Sequence, residues 1–267
     1  MLTKTILRYS DLYIEYAKQN FKVMLEYRAD FFIGALSTFF LQLGSIAFVW
    51  IIFNNIKDLN GWSFYEVAFI FALTTIAKSI NHIFFDNFWV LGWHYIRTGN
   101  FDIILTRPVS PLFQLIANKI QQDGFGNLII GLIIFFKCII ELNLNFTYID
   151  IFLLIVFIIS GGMIFAAINF ITCTSSFWII HSHTLISSVF TFHEFALYPL
   201  TIFKKSVIIL LTWVIPYAFS SFYPSNYFLN KGFKELSYLT PVIAIVLWCI
   251  GMQFWKSGLK NYTGTGS

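Results

Sequence analysis

The residues best suited to chemistry lie in stretches that exclude water. Thr74, Thr75, Lys78, Asn81 and His82 fall at helical spacing on one side of an apolar run from Trp62 to Phe85. An ammonium group and an imidazole inside such a run are costly, which makes them a functional hypothesis by default. Two uses fit the spacing. Lys78, about two turns from the end of the run, extends its stem toward water, or this face lines a path between subunits. Gln42 adds a smaller polar stripe with Thr38 and Ser45, and Asn169, Thr172 and Ser176 make another. Such groups also tie membrane helices together by hydrogen bonds. His181, Ser182 and His183 with His193 match no zinc spacing; hydrogen-bonded or interfacial histidines fit them better. No G-x-x-x-x-G-K-[ST], H-E-x-x-H or G-x-S-x-G occurs. The chain is therefore not expected to be an enzyme, to bind a cofactor or to hold a metal.

The elements that must position these side chains follow from composition and run length. Of the 267 residues, 58% are hydrophobic and 11% charged, where soluble chains carry about 25% charged residues. Too few charges remain to cover a water-facing surface, and 33 Phe, 13 Tyr and 8 Trp exclude disorder. Cys138, Cys173 and Cys249 are scattered in apolar runs and make no disulfide framework. A bilayer core needs about 20 apolar helical residues per span. Runs of that order predict an all-α polytopic membrane protein with six transmembrane helices, at about 31–53, 62–85, 119–140, 151–176, 206–225 and 236–255. Pro216 should kink the fifth, and Pro224 breaks it again, as in an incomplete or re-entrant helix. Gly161 and Gly162 let another helix approach the fourth closely.

Charge placement sets the orientation. With six spans and a cytoplasmic N-terminus, the inner segments hold 12 Lys and Arg, including Arg97, Arg107, Lys204 and Lys205, against 3 outside, Lys57, Lys231 and Lys234. Making 184–203 a seventh span lowers the split to 10 against 5, so that segment is expected to lie along the inner membrane face. The net charge of +4 is met by inner-leaflet headgroups and calls for no nucleic acid. Residues 1–30 are expected to form an interfacial amphipathic helix: Lys4, Arg8, Asp11, Glu15, Lys18 and Lys22 make one stripe, and Leu2, Ile6, Tyr9, Tyr13, Ala17 and Phe21 another. Residues 256–267 form a cytoplasmic tail.

Between the second and third spans, residues 86–111 read DNFWVLGWHYIRTGNFDIILTRPVSP. Phe88, Trp89, Trp93, Tyr95 and Arg97 are of the types that anchor protein interfaces or line a lipid boundary. The stretch Thr98 to Leu112 resembles the inner-loop signature of type-2 ATP-binding-cassette (ABC) transporter permeases of about this length. Tyr27-Arg28-Ala29-Asp30-Phe31, Tyr198-Pro199-Leu200, Val214-Ile215-Pro216-Tyr217-Ala218 and Gly258-Leu259-Lys260-Asn261-Tyr262 are similar to that family in the same order.

The resemblance implies a six-span permease without an ATPase domain, in the bacterial cytoplasmic membrane with both termini cytoplasmic. It implies a second permease copy, identical or related, and two copies of a separate ABC ATPase, which would bind the ATP and magnesium. It also implies that the short helix between spans two and three is a cytoplasmic coupling helix, giving Phe88, Trp89, Trp93, Tyr95 and Arg97 as the ATPase contact. Gln42, Thr74, Thr75, Lys78, Asn81 and Pro216 are the candidate path-lining residues. Phe, Ile and Leu lining predicts an amphipathic or hydrophobic cargo, carried outward. The rival readings are an ion-gradient-driven secondary transporter, which should show an inverted repeat and mid-membrane carboxylates, and a membrane-embedded enzyme or scaffold.

Overall fold

The computed structural model describes residues 2–179 and 182–264. His181 and residues 265–267 of the tail lie outside the described residues. The helices are α1 (Leu2–Glu26), α2 (Arg28–Asn55), α3 (Phe64–Phe84), α4 (Asn100–Leu105), α5 (Pro111–Ala117), α6 (Gly124–Glu141), α7 (Tyr148–Thr174), α8 (Ser182–Thr191), α9 (Lys205–Ile209), α10 (Phe222–Phe228) and α11 (Thr240–Asn261). Among the described residues, five continuous helical stretches are long and apolar enough to cross a bilayer. They make an all-α polytopic membrane fold. The end of the bundle near Glu26 and Asn261 is here the basal end, and the end holding the 55–64, 141–148 and 230–240 connections is the distal end.

Local sequence sets where the long helices begin. Before α3, the Glu66 carboxylate accepts the Ser63 backbone N–H at 2.8 Å. Before α7, Asp150 accepts from the Thr147 N–H at 2.9 Å while the Thr147 hydroxyl accepts from the Asp150 N–H at 3.3 Å. Both are capping boxes, which satisfy N–H groups that the helix itself leaves free. α3 runs through the middle, packed on α6 and α7. The glycine pair does what its residue type predicts. A Cβ on Gly162 would stand 2.7 Å from Ile80 Cβ, and one on Gly161 would stand 3.2 Å from Ala77 Cβ and 2.8 Å from the Ser220 carbonyl oxygen.

The path of residues 182–228 corrects the expected one. Segment 182–203 does not lie along the basal end. Ser182 bonds Ser176 at 2.8 Å, near the basal ends of α7 and α3. The Ala196 carbonyl accepts from Thr74 in the middle of α3 at 2.9 Å, and Thr201 bonds Asn60 and Trp62 at the distal end, both at 2.8 Å. The segment thus runs antiparallel to α3 along its whole length, through α8 and two 3₁₀ turns, Phe192–Leu197 and Leu200–Ile202.

The fifth span, expected over 206–225 with a kink at Pro216, is broken there into a re-entrant hairpin over residues 205–228. The chain bends by 72° between its limbs, Lys205–Val214 and Tyr217–Phe228. The tip at Tyr217 packs on Phe165 with ring centroids 5.0 Å apart. Ser220 then meets Gly161, about 20 Å along α7 from its first residue. The returning limb regains the distal end, where Tyr227 donates to Asp150 at 2.9 Å and Lys231 pairs with Glu66 at 2.9 Å. Pro216 breaks the helix at the tip, whereas Pro224 sits in the first turn of α10, where its missing N–H costs nothing. The charge rule compares six simple spans with seven. It has no place for a hairpin, so it drew Lys204 and Lys205 to the basal side.

α1 lies against the basal connection. The Tyr9 ring meets Phe113 of α5 edge-on at 4.9 Å, the Tyr9 hydroxyl accepts from the Ser110 N–H at 3.3 Å, and Asn20 accepts from the Ile120 N–H at 3.3 Å.

Candidate functional site: a polar cleft beside α3

α2 and the antiparallel segment 182–203 both flank α3, and a cleft runs between them. It has two lobes with Leu41, Gln42 and Lys78 common to both. The basal lobe, about 250 Å³, is further lined by Asn81, His82, Asp86, Trp89, Asn127 and Phe190, among others. The distal lobe, about 450 Å³, is further lined by Ser45, His193, Glu194 and Tyr198.

Lys78 stands between the lobes. Its ammonium lies 2.9 Å from His193 Nε2 and 5.6 Å from the centre of the Phe190 ring. It is directed at segment 182–203, not along the helix toward the basal end. The tautomer of His193 follows from its other nitrogen, which lies 2.6 Å from the Phe190 carbonyl oxygen. A carbonyl only accepts, so Nδ1 carries the proton and Nε2 accepts from Lys78. The imidazole is neutral and orients the ammonium without balancing its charge. Among the described residues no carboxylate lies within 4.0 Å of Lys78.

The candidate path residues separate into two groups. Gln42, Lys78 and Asn81 line the cleft. Thr74 and Thr75 are fully buried and bonded to backbone: Thr74 donates to the carbonyls of Ile70 and Ala196, both at 2.9 Å, and Thr75 to that of Phe71 at 2.8 Å. They fasten α3 and line no cavity. Pro216 is buried at the hairpin tip, away from the cleft. Sequence reasoning missed Asp86, Asn127, Glu194 and Tyr198. Glu194, the only formal charge in an apolar stretch, was the available signal once that stretch runs the length of the bundle.

At the basal mouth, Asp86 lies 3.8 Å from His82 Nε2. Burial pushes its carboxyl up to about 6, against the pull of Lys119 and with a push from Asp123. Asn127 donates to His82 Nδ1 at 2.9 Å, and its buried carbonyl oxygen has no partner among the described residues.

The connection from Asp86 to Ala117 forms a 3₁₀ turn (Asp86–Val90), a π turn (Leu91–Ile96), α4 and α5. Of the five residues expected to face a partner, three are turned into the chain. Phe88 is fully buried against Phe170, ring centroids 5.0 Å apart. Tyr95 is buried and its hydroxyl accepts from Asn118 at 2.9 Å. Both rings belong to the apolar cluster that packs this connection on Phe170 and Cys173 of α7 and Trp255 of α11. Trp93 and Arg97 are exposed, beside exposed Ile103, Leu105 and Arg107. Trp89 faces inward: it lines the basal lobe and meets the Phe190 ring at 5.1 Å. Among the described residues no group of three His, Cys, Asp or Glu is arranged to hold a metal.

The fold is a multi-pass membrane bundle with a polar cleft in its flank and exposed Trp93 and Arg97 at one end. The family model for ABC-2 family transporter proteins matches residues 39–266, and the chain belongs to that family. Membership makes it the membrane component of a transporter and implies partnership with an ABC ATPase subunit. No curated protein and no solved structure matches the chain.

Proposed function

We propose that the chain is the permease subunit of an ATP-driven exporter in a bacterial cytoplasmic membrane, with both termini cytoplasmic. Two permease copies pair, and two ABC ATPases bind ATP and magnesium at their basal ends. The observation that carries this reading is the two-sidedness of one short segment. Trp93 and Arg97 are exposed, while Trp89, one turn earlier, lines the cleft and touches Phe190, whose ring lies beneath Lys78. Closure of the ATPases on ATP would push this segment and shift Trp89 against segment 182–203. The cleft would then change from one access to the other, as a coupled two-state element. Exposed Leu41 and Phe48 at the cleft edge suit an amphipathic or hydrophobic cargo.

The test is the double substitution Trp93→Ala with Arg97→Ala in the reconstituted complex. Removing an exposed anchor pair should lower ATPase co-purification by about tenfold or more, abolish ATP-dependent transport and leave the thermal melting of the permease unchanged. A double variant that retains its ATPase and transports normally defeats the coupling assignment.

A further inference from the structure

We propose that the cleft takes a phospholipid-type amphiphile, with the phosphodiester anion at Lys78 and a hydrogen-bond-donating substituent in the basal lobe. The proposal rests on the permease reading and names the chemistry of its cargo.

Three observations carry it. First, the Lys78 ammonium is held in place by a neutral acceptor and has no counter-ion within 4.0 Å among the described residues. A charge taken out of water without a partner is costly, and an anion arriving in the cleft relieves that cost. Second, the basal lobe offers acceptors. The Asn127 carbonyl oxygen is buried and unpartnered, and Asp86 stands at the same lobe. A buried acceptor without a donor also carries a penalty, which an ammonium or hydroxyl group removes. Carboxylates on both sides of Lys78, Asp86 in one lobe and Glu194 in the other, disfavour a compact multivalent anion and favour a headgroup that carries its own donor. Third, the cleft edge is hydrocarbon. Leu41 is 67% exposed and Phe48 58%, and a Cβ on Gly44, which lines the distal lobe, would meet nothing within 4 Å. Acyl chains leave the cleft there without crossing a polar wall.

The experiment uses the full chain, purified in detergent with its ATPase. Retained lipid is counted by native mass spectrometry after exchange with vesicles of phosphatidylethanolamine or of phosphatidylcholine, which share the phosphodiester but differ in donor capacity. The wild type should retain the ethanolamine lipid about tenfold better, the size of one good charged hydrogen bond. Lys78→Met should lower retention of both lipids by about tenfold, and Lys78→Arg should restore most of it. Lys78→Met leaves His193 Nε2 without its donor, so the melting temperature of each variant is measured beside its lipid retention. Equal retention by the wild type and Lys78→Met at equal melting temperature overturns the proposal, as does equal retention of the two lipids. Displacement of bound lipid by millimolar inorganic phosphate overturns it too, because the site would then select a free anion. Loss of the ATPase alone, with lipid retention unchanged, counts against the permease reading and leaves this one standing.

Discussion

α2 and α3 are both long, apolar and helical, yet they occupy opposite situations. Of the most apolar stretch of each, 6% of α2 is buried in the chain against 78% of α3. α3 carries Ala68, Ala72, Thr74, Thr75, Ala77 and Ser79 among its bulky residues, and all are buried. Small side chains let neighbouring backbones come close where the hydrophobic effect no longer drives association. α2 presents Phe32, Ile33, Leu36, Phe40, Leu41, Phe48 and Trp50, all exposed. Apolar run length thus reports the medium a helix tolerates, and side-chain size decides which neighbours it accepts. The cleft lies where the two kinds of helix meet, so that α3 supplies the fixed wall and α2 the open one.

The largest effect should come from filling the close approach to α3. Gly161→Leu would drive a side chain into the Ser220 backbone and Ala77 together. Overpacking of this kind costs about 3 kcal/mol or more when backbone cannot yield. Gly44→Leu on α2, whose new side chain meets nothing, should stay within about 0.5 kcal/mol. Thermal melting of the two purified variants checks the contrast, and a Gly44→Leu loss as large as that of Gly161→Leu breaks it.

The same contrast explains what could be read from the sequence. The long helices were legible as run lengths, and the helix contact as Gly161-Gly162. Lys78, Gln42 and Asn81 were legible because polar groups in apolar runs stand out. Thr74 and Thr75 share that helical face, but a hydroxyl satisfies itself on the carbonyl four residues back, so periodicity cannot separate fastening from lining. The course of segment 182–203 was hidden because its apolar content suits either an interfacial or a crossing path. What decides between them are contacts more than 100 residues apart in sequence, Thr74 to Ala196 and Trp62 to Thr201. Asn127 and Asp86 became site residues only through that same long-range assembly.

An intermediate effect is expected where α3 is tied down at its distal start. Lys231 donates to the Gly61 carbonyl and to Glu66, both at 2.9 Å, and lies 4.1 Å from the centre of the Trp62 ring. Lys231→Met keeps the stem against Trp62 and removes the charge. A partly exposed pair with a cation–π contact contributes about 1–2 kcal/mol, and Glu66 still caps Ser63. The variant should melt a few degrees lower, with the loss shrinking in high salt. A salt-independent loss would assign the effect to packing and take the ion pair out of the account of α3.

The smallest effect probes the basal end of the cleft, just past α3. Asp86 faces His82 at 3.8 Å, with Lys119 and Asp123 also acting on it. Its carboxyl rises from the ordinary 3.8 to about 6, chiefly through burial. A raised carboxyl means that the folded chain holds the proton more tightly than the unfolded one. Stability from this group is therefore greatest in acid, falls as pH rises from about 4 through about 6, and is level above that. Asp86→Asn removes the charge and keeps the shape, so it should melt higher than the wild type at pH 7.5 and equal to it near pH 4. With the side chain 30% exposed, the gain at pH 7.5 is discounted to about 1 kcal/mol. His82, Lys119 and Asp123 are present in both proteins, so the difference between the two melting curves isolates Asp86. A difference that stays constant between pH 4 and 7.5 would mean that the carboxyl is not desolvated, and the basal lobe would then open to water in place of the closed wall that α3 presents elsewhere.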